Sequence, residues 1–182
     1  MVLMLNREEF SETWSGIIDS LHNEIISDDD VFVPLVNKGS DKAKVSFECR
    51  TILLVMAIRK ILDSKMPDRV IRDTEKRIVN EVYSQLSDSE EAVQKSNDYY
   101  QQLSDMFEQL KDNETDDLMM AYARYLVKAV SKAPEEEMAA VINALAAHFI
   151  SADDIFGHLM KSTTVDASSV LFGRYRFLVK RG

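Results

Sequence analysis

Three histidines, one cysteine and 31 acidic residues are the side chains from which this chain could build a catalytic or metal site. Asp19 and His22 stand three apart, a spacing that puts both on one helix face, as a metal pair requires. A di-iron bundle, however, needs two Glu-x-x-His elements and two further inward glutamates. No histidine here follows a glutamate at that spacing. His148 and His158 are too far apart for a compact zinc pattern, and Asp154 with His158 at (i, i+4) reads as a surface pair. "SDDDVF" opens like a calcium loop, but Val33 and Gly39 stand where the loop needs its glycine and its closing glutamate. Neither a metal nor a cofactor is expected.

Cys49 would serve as a nucleophile only beside a base or at a helix start, where the thiol loses its proton more easily. It sits instead in an apolar stripe, which predicts a buried, inert thiol. The chain has no Gly-rich phosphate loop, no GxSxG and no HExxH, so no catalytic residue is assigned. Methionines and Tyr99, Tyr100, Tyr122 and Tyr125 could line an adaptable groove, but their helical spacing predicts ordinary core.

The segment with unusual chemistry is the end, "VLFGRYRFLVKRG" (Val170 to Gly182). From Lys161 onward five bases face one acid, giving +4, while the preceding residues carry −13 of the net −9. Phe172, Arg174, Tyr175, Arg176, Phe177, Lys180 and Arg181 are therefore the candidate partner-binding residues. Residues 161–182 read either as a ribbon docked on the body or as an arm exchanged with a partner. A body so negative repels nucleic acid and anionic lipid. The expected partner is a protein, including a second copy of this chain.

These side chains must be carried by helices. Glycine and proline are scarce, at five and three residues, and apolar residues recur near every 3.6 positions. Asn6 with Glu9 forms a capping-box start for a helix lined by Phe10, Trp14, Ile17, Ile18, Leu21 and Ile25. Val31–Val36 is rich in β-branched residues and predicts a short extended segment, restricted to an edge by Pro34. Ser40 or Asp41 caps a second helix, apolar around so much of its surface that it reads as the central one. Pro67, the "SDSE" box at Ser87–Glu90, Thr115, Pro134 and Ser151 start five more helices. Among their stripe residues are Leu86, Met106 and Ile155.

The expected fold is a single all-α domain over residues 1–182, a bundle of about seven helices. A minor two-stranded β-ribbon could join residues 31–36 to 171–180. The apolar run Met1–Leu5 halts at Asn6 without a basic flank, too short for a signal-peptide core. The longest apolar run inside the chain, Ile52–Ile58, is far short of the ~20 residues that span a bilayer. One cysteine excludes an intrachain disulfide and suits the cytoplasm. These features point to a non-enzymatic interaction or regulatory module that self-associates. The alternatives are a helical enzyme or small-molecule binder with its site between helices, and an acidic decoy of a nucleic-acid-binding protein.

Overall fold

The computed structural model describes residues 3–86, 89–110 and 115–165. They form seven α-helices and a small parallel sheet, an all-α bundle with minor β structure. Strand β1 (Leu3–Leu5) leads through the cap Asn6 into α1 (Arg7–Ile26). The capping box is complete: Glu9 N–H donates to the Asn6 side chain at 2.9 Å, and Asn6 N–H donates to Glu9 at 3.0 Å.

The extended segment expected at Val31–Val36 is instead helix α2 (Asp29–Asn37). Asp28 caps it by accepting from Asp30 N–H at 2.9 Å, and Asp29 and Asp30 sit at the positive end of its dipole. Gly39, at φ +85°, closes it. Ser40 N–H reaches back to the Leu35 carbonyl and Gly39 N–H to that of Val36, which satisfies the last carbonyls. Pro34 removes one internal bond, but burial of Val31 and Leu35 holds the helix on the bundle. Cap chemistry and burial outweigh the β preference of the valines.

Helix α3 (Lys42–Leu62), capped by Asp41, is the central element. Every residue from Thr51 to Ile58 is buried, and the helix packs on α1, α4 (Asp68–Ser84), α5 (Glu90–Glu108), α6 (Thr115–Val130) and α7 (Ala139–Ser162). Helix α5 is capped by Ser89, whose hydroxyl accepts from Ala92 N–H, two residues later than the box starting at Ser87 suggests. Pro134 leads into a 3-10 turn, Glu135–Met138, before α7.

No new helix begins at Ser151. Ser151 faces solvent, while Phe149, Ala152 and Phe156 continue one buried face, so α7 runs unbroken. Leu86, Met106 and Ile155 are exposed rather than buried in their stripes. The stretch Glu135–Ser162 is long and apolar enough to cross a membrane by length and composition, but Val141, Ile142 and Leu145 face the bundle core.

The sheet is built from segments other than those expected. Leu3, Met4 and Leu5 of β1 pair in parallel with Thr163, Thr164 and Val165 of β2 (Thr163–Val165). Residues 171–180, the other half of the expected ribbon, lie outside the described residues.

Candidate functional site

Helices α1 and α3 enclose a polar cluster that brings Asp19 and His22 together with a partner far along the chain. Arg50 donates through one guanidinium nitrogen to Asp19, and through the other to His22 Nδ1 at 3.2 Å. His22 Nε2 lies 2.8 Å from Ser46 Oγ. A serine beside a histidine invites comparison with a hydrolase. A guanidinium only donates, so the 3.2 Å Arg50 contact favours an accepting Nδ1 with the proton on Nε2 toward Ser46, against the longer 3.4 Å contact of Nδ1 with Asn23 Oδ1. Nucleophilic catalysis needs the reverse: an acid holding Nδ1–H while Nε2 accepts the serine proton. Burial first and the Arg50 charge second push His22 below the usual histidine range, keeping it neutral. The cluster ties two helices together and has no geometry for catalysis.

A second buried network lies on the same helix. Glu48 is only 5% exposed. It accepts from Tyr99 Oη at 2.7 Å, and Tyr99 Oη lies 2.6 Å from Tyr125 Oη. Phe47 stacks on Tyr83 and lies tilted against Tyr99, and Tyr83 meets Thr51 at 3.0 Å. Burial pushes the Glu48 carboxyl above its ordinary value, opposed in part by the tyrosine hydroxyl. The folded state then binds more protons than the unfolded one between pH 4.5 and the raised value, so this group lowers stability as pH rises through that window. Glu48→Gln keeps an acceptor for Tyr99 and removes the titration. We expect its stability at neutral pH to lie within about 1 kcal/mol of wild type. Relative to wild type it should gain stability as pH rises from 4.5, which denaturant titrations across that range will measure. Sequence inspection passed over Glu48. The available signal was a lone charge between Val45, Cys49 and Ile52 on the apolar face of the central helix.

The other two histidines bond to neighbouring groups, and His158 also lines a cleft at the end of α7. His148 Nε2 on α7 lies 2.7 Å from Asp28, the cap of α2, and Glu24 stands 3.9 Å from Nδ1. The histidine bond holds the Asp28 carboxyl below its ordinary range. His158 Nδ1 donates to the backbone carbonyl of Asp154 at 2.8 Å, not to its carboxylate as the spacing suggested. Burial pushes the Cys49 thiol up to about 12, far from a nucleophile's range. Among the described residues no three His, Cys, Asp or Glu side chains converge to hold a metal ion.

A cleft of about 920 Å³ lies at one end of the bundle, between the α3–α4 turn, the end of α7 and β2. That volume is within the ~300–1,000 Å³ of ordinary binding pockets. Met66, Val70, Met160 and Val165 give it an apolar floor, with Asp63, Asp154, Lys65 and Lys161 around it. Lys60 and Asp153 close one side as an ion pair at 2.8 Å. Neither His22 nor His148 opens into this cleft, and the four tyrosines considered for a groove lie elsewhere. Tyr100 and Tyr122 are core residues, and Tyr99 and Tyr125 belong to the Glu48 network.

No family model, curated protein or solved structure matches this chain. The functional reading therefore rests on its own side chains. The candidate partner-binding residues Phe172, Arg174, Tyr175, Arg176, Phe177, Lys180 and Arg181 lie outside the described residues.

Proposed function

We propose that this protein is a non-enzymatic interaction module that acts in the cytoplasm and self-associates through the edge of its small sheet. The observation that carries this reading is the unguarded strand β1. Leu3 is 55% exposed and Met4 64% exposed. Among the described residues β1 pairs only with β2, so its other edge presents backbone donors and acceptors. Proteins that stay monomeric protect such an edge by keeping it very short or with lysine, proline or a bulge. The strand is three residues long, but Leu-Met-Leu carries neither lysine nor proline. A second copy related by a two-fold axis would pair β1 with β1, extend the sheet to four strands and set the exposed Leu3 and Met4 side chains beside those of its neighbour. The His22 and Glu48 clusters support the non-enzymatic part: each ties helices together and neither lines the cleft. A single buried thiol, with no disulfide possible, suits a reducing compartment.

Sedimentation velocity across a protein concentration series tests the proposal. The wild type should move from monomer to dimer as concentration rises, and the variant carrying Leu3→Lys and Met4→Lys should remain monomeric with unchanged helix content. A wild type that stays monomeric throughout, or a variant that dimerises equally well, refutes it. Apolar edge pairing should also survive added salt, unlike contacts made through exposed charge.

A further inference from the structure

We infer that the cleft between the α3–α4 turn and the end of α7 binds a small organic cation, an ammonium group carried on an aromatic body. Shape supplies the first argument. The cleft is as large as an ordinary ligand pocket, and Met66, Val70, Met160 and Val165 form its apolar floor. Two methionines suit an aromatic ring, because the thioether sulfur is polarizable and gains from contact with ring edges. Gly157 lies on the α7 wall of the cleft. Glycine inside a helix is destabilising relative to alanine. Among the described residues a Cβ added at Gly157 would meet no atom within 4 Å, so the missing side chain leaves room in the cleft.

Charge supplies the second argument. Lys60 is committed to Asp153 at 2.8 Å. Asp63 and Asp154 line the cleft and have no cationic partner among the described residues. His158 lines it too, and because its Nδ1 donates to the Asp154 carbonyl at 2.8 Å, the neutral ring keeps Nε2 as an acceptor for an ammonium proton. The helix ends add to this. Helices α3 and α7 both finish at the cleft, at Leu62 and Ser162, and their C-terminal carbonyls favour positive charge. Lys65 and Lys161 oppose a cation. Both are exposed, however, and their flexible stems let the ammonium groups turn into solvent. The short aspartates and the fixed backbone carbonyls lack that freedom. An anionic ligand would face Asp63, Asp154 and both helix ends at once. The inference goes beyond self-association and does not depend on pairing through β1.

The test uses the isotope-labelled full chain and three probes that share one aromatic body: phenylbutylamine, phenylbutanol and phenylbutyrate. The amine should shift the amide signals of Met66, Val70 and Met160 and reach saturation. The carboxylate should bind about tenfold more weakly, with the alcohol between them. Gly157→Leu fills the cleft and should abolish the saturable shifts while circular dichroism stays unchanged. Asp63→Asn with Asp154→Asn, both at exposed positions, should bring the amine down to the affinity of the alcohol. Absence of saturable shifts at those three residues overturns the inference. So does a carboxylate that binds as tightly as the amine, or a Gly157→Leu variant that binds the amine as the wild type does. A double asparagine variant that keeps the full preference for the amine also overturns it.

Discussion

Trp14→Ala is expected to cost about 3–5 kcal/mol of folding stability, the range for deleting a large aromatic side chain from a packed core. Trp14 is fully buried. Its indole stacks between Phe10, with ring centroids 5.6 Å apart, and Phe156, at 5.8 Å. Those contacts join the first turns of α1 to the last turns of α7, so the cavity left by alanine would open where the two ends of the described bundle meet. Domains of this kind hold ~5–15 kcal/mol in total, so the variant should unfold at far lower urea. Trp14→Phe makes the sharper comparison. Among the described residues the buried indole N–H has no hydrogen-bond partner, and phenylalanine removes that donor while keeping a ring between Phe10 and Phe156. It should cost about 1–2 kcal/mol, because the lost volume is partly offset by the relieved polar group. Far-UV circular dichroism is the readout, since both variants lack the chain's single tryptophan. Equal losses for alanine and phenylalanine would mean that the ring contacts contribute little.

Arg50→Met is expected to cost about 3 kcal/mol, at the low end for removing one partner of a buried ion pair. Arg50 and Asp19 are both partly buried, and His22 almost wholly so. Methionine fills much of the same space but leaves Asp19 without a cation and His22 Nδ1 without its donor. Adding Asp19→Asn should recover part of the loss, because the uncompensated charge is then gone; a double-mutant cycle isolates that coupling. The pH dependence gives an independent check. His22 titrates lower in the folded state than its ordinary 6.5. The unfolded chain therefore binds the extra proton first, and stability falls as pH drops below 6.5 toward the folded value. Removing Arg50 takes away one of the two forces that lower this histidine, so the acid-side slope should be shallower in Arg50→Met. A slope as steep as the wild type's would show that burial alone sets the shift.

Much of this architecture is written locally. Asn6 and Glu9 specify the start of α1 because both partners of the capping box lie within one turn. The broad apolar surface of residues 45–61 marks α3 as central, since a helix greasy on several sides needs neighbours on several sides. Two local readings failed for opposite reasons. At residues 29–37 the β preference of three valines was weighed above the cap Asp28 and the stop Gly39, although cap and stop satisfy the orphan backbone groups of a helix. At Ser151 a residue suited to starting a helix yields to an apolar face that continues through Ala152 and Phe156. A serine inside a helix is tolerated when it faces water, as Ser151 does.

The candidate sites were less legible, because their partners are distant in sequence. Asp19 and His22 were visible as a pair on one face, but the group that fixes their charge and tautomer is Arg50, brought in from another helix. His148 gave no sign that Asp28 was its partner, 120 positions away. The small sheet was expected, but not its composition, since three-residue strands carry no periodicity of their own and exist only where two segments happen to meet.

The sequence alone therefore determined most of the helices, with the cap of α1 and the identity of the central one. Each of these depends on neighbours within a turn or two along the chain. The tertiary structure alone decided which stripes meet, which polar groups are buried in pairs and where a cleft remains. Those outcomes depend on how whole surfaces fit together, and spacing within a single helix carries no record of what will face it.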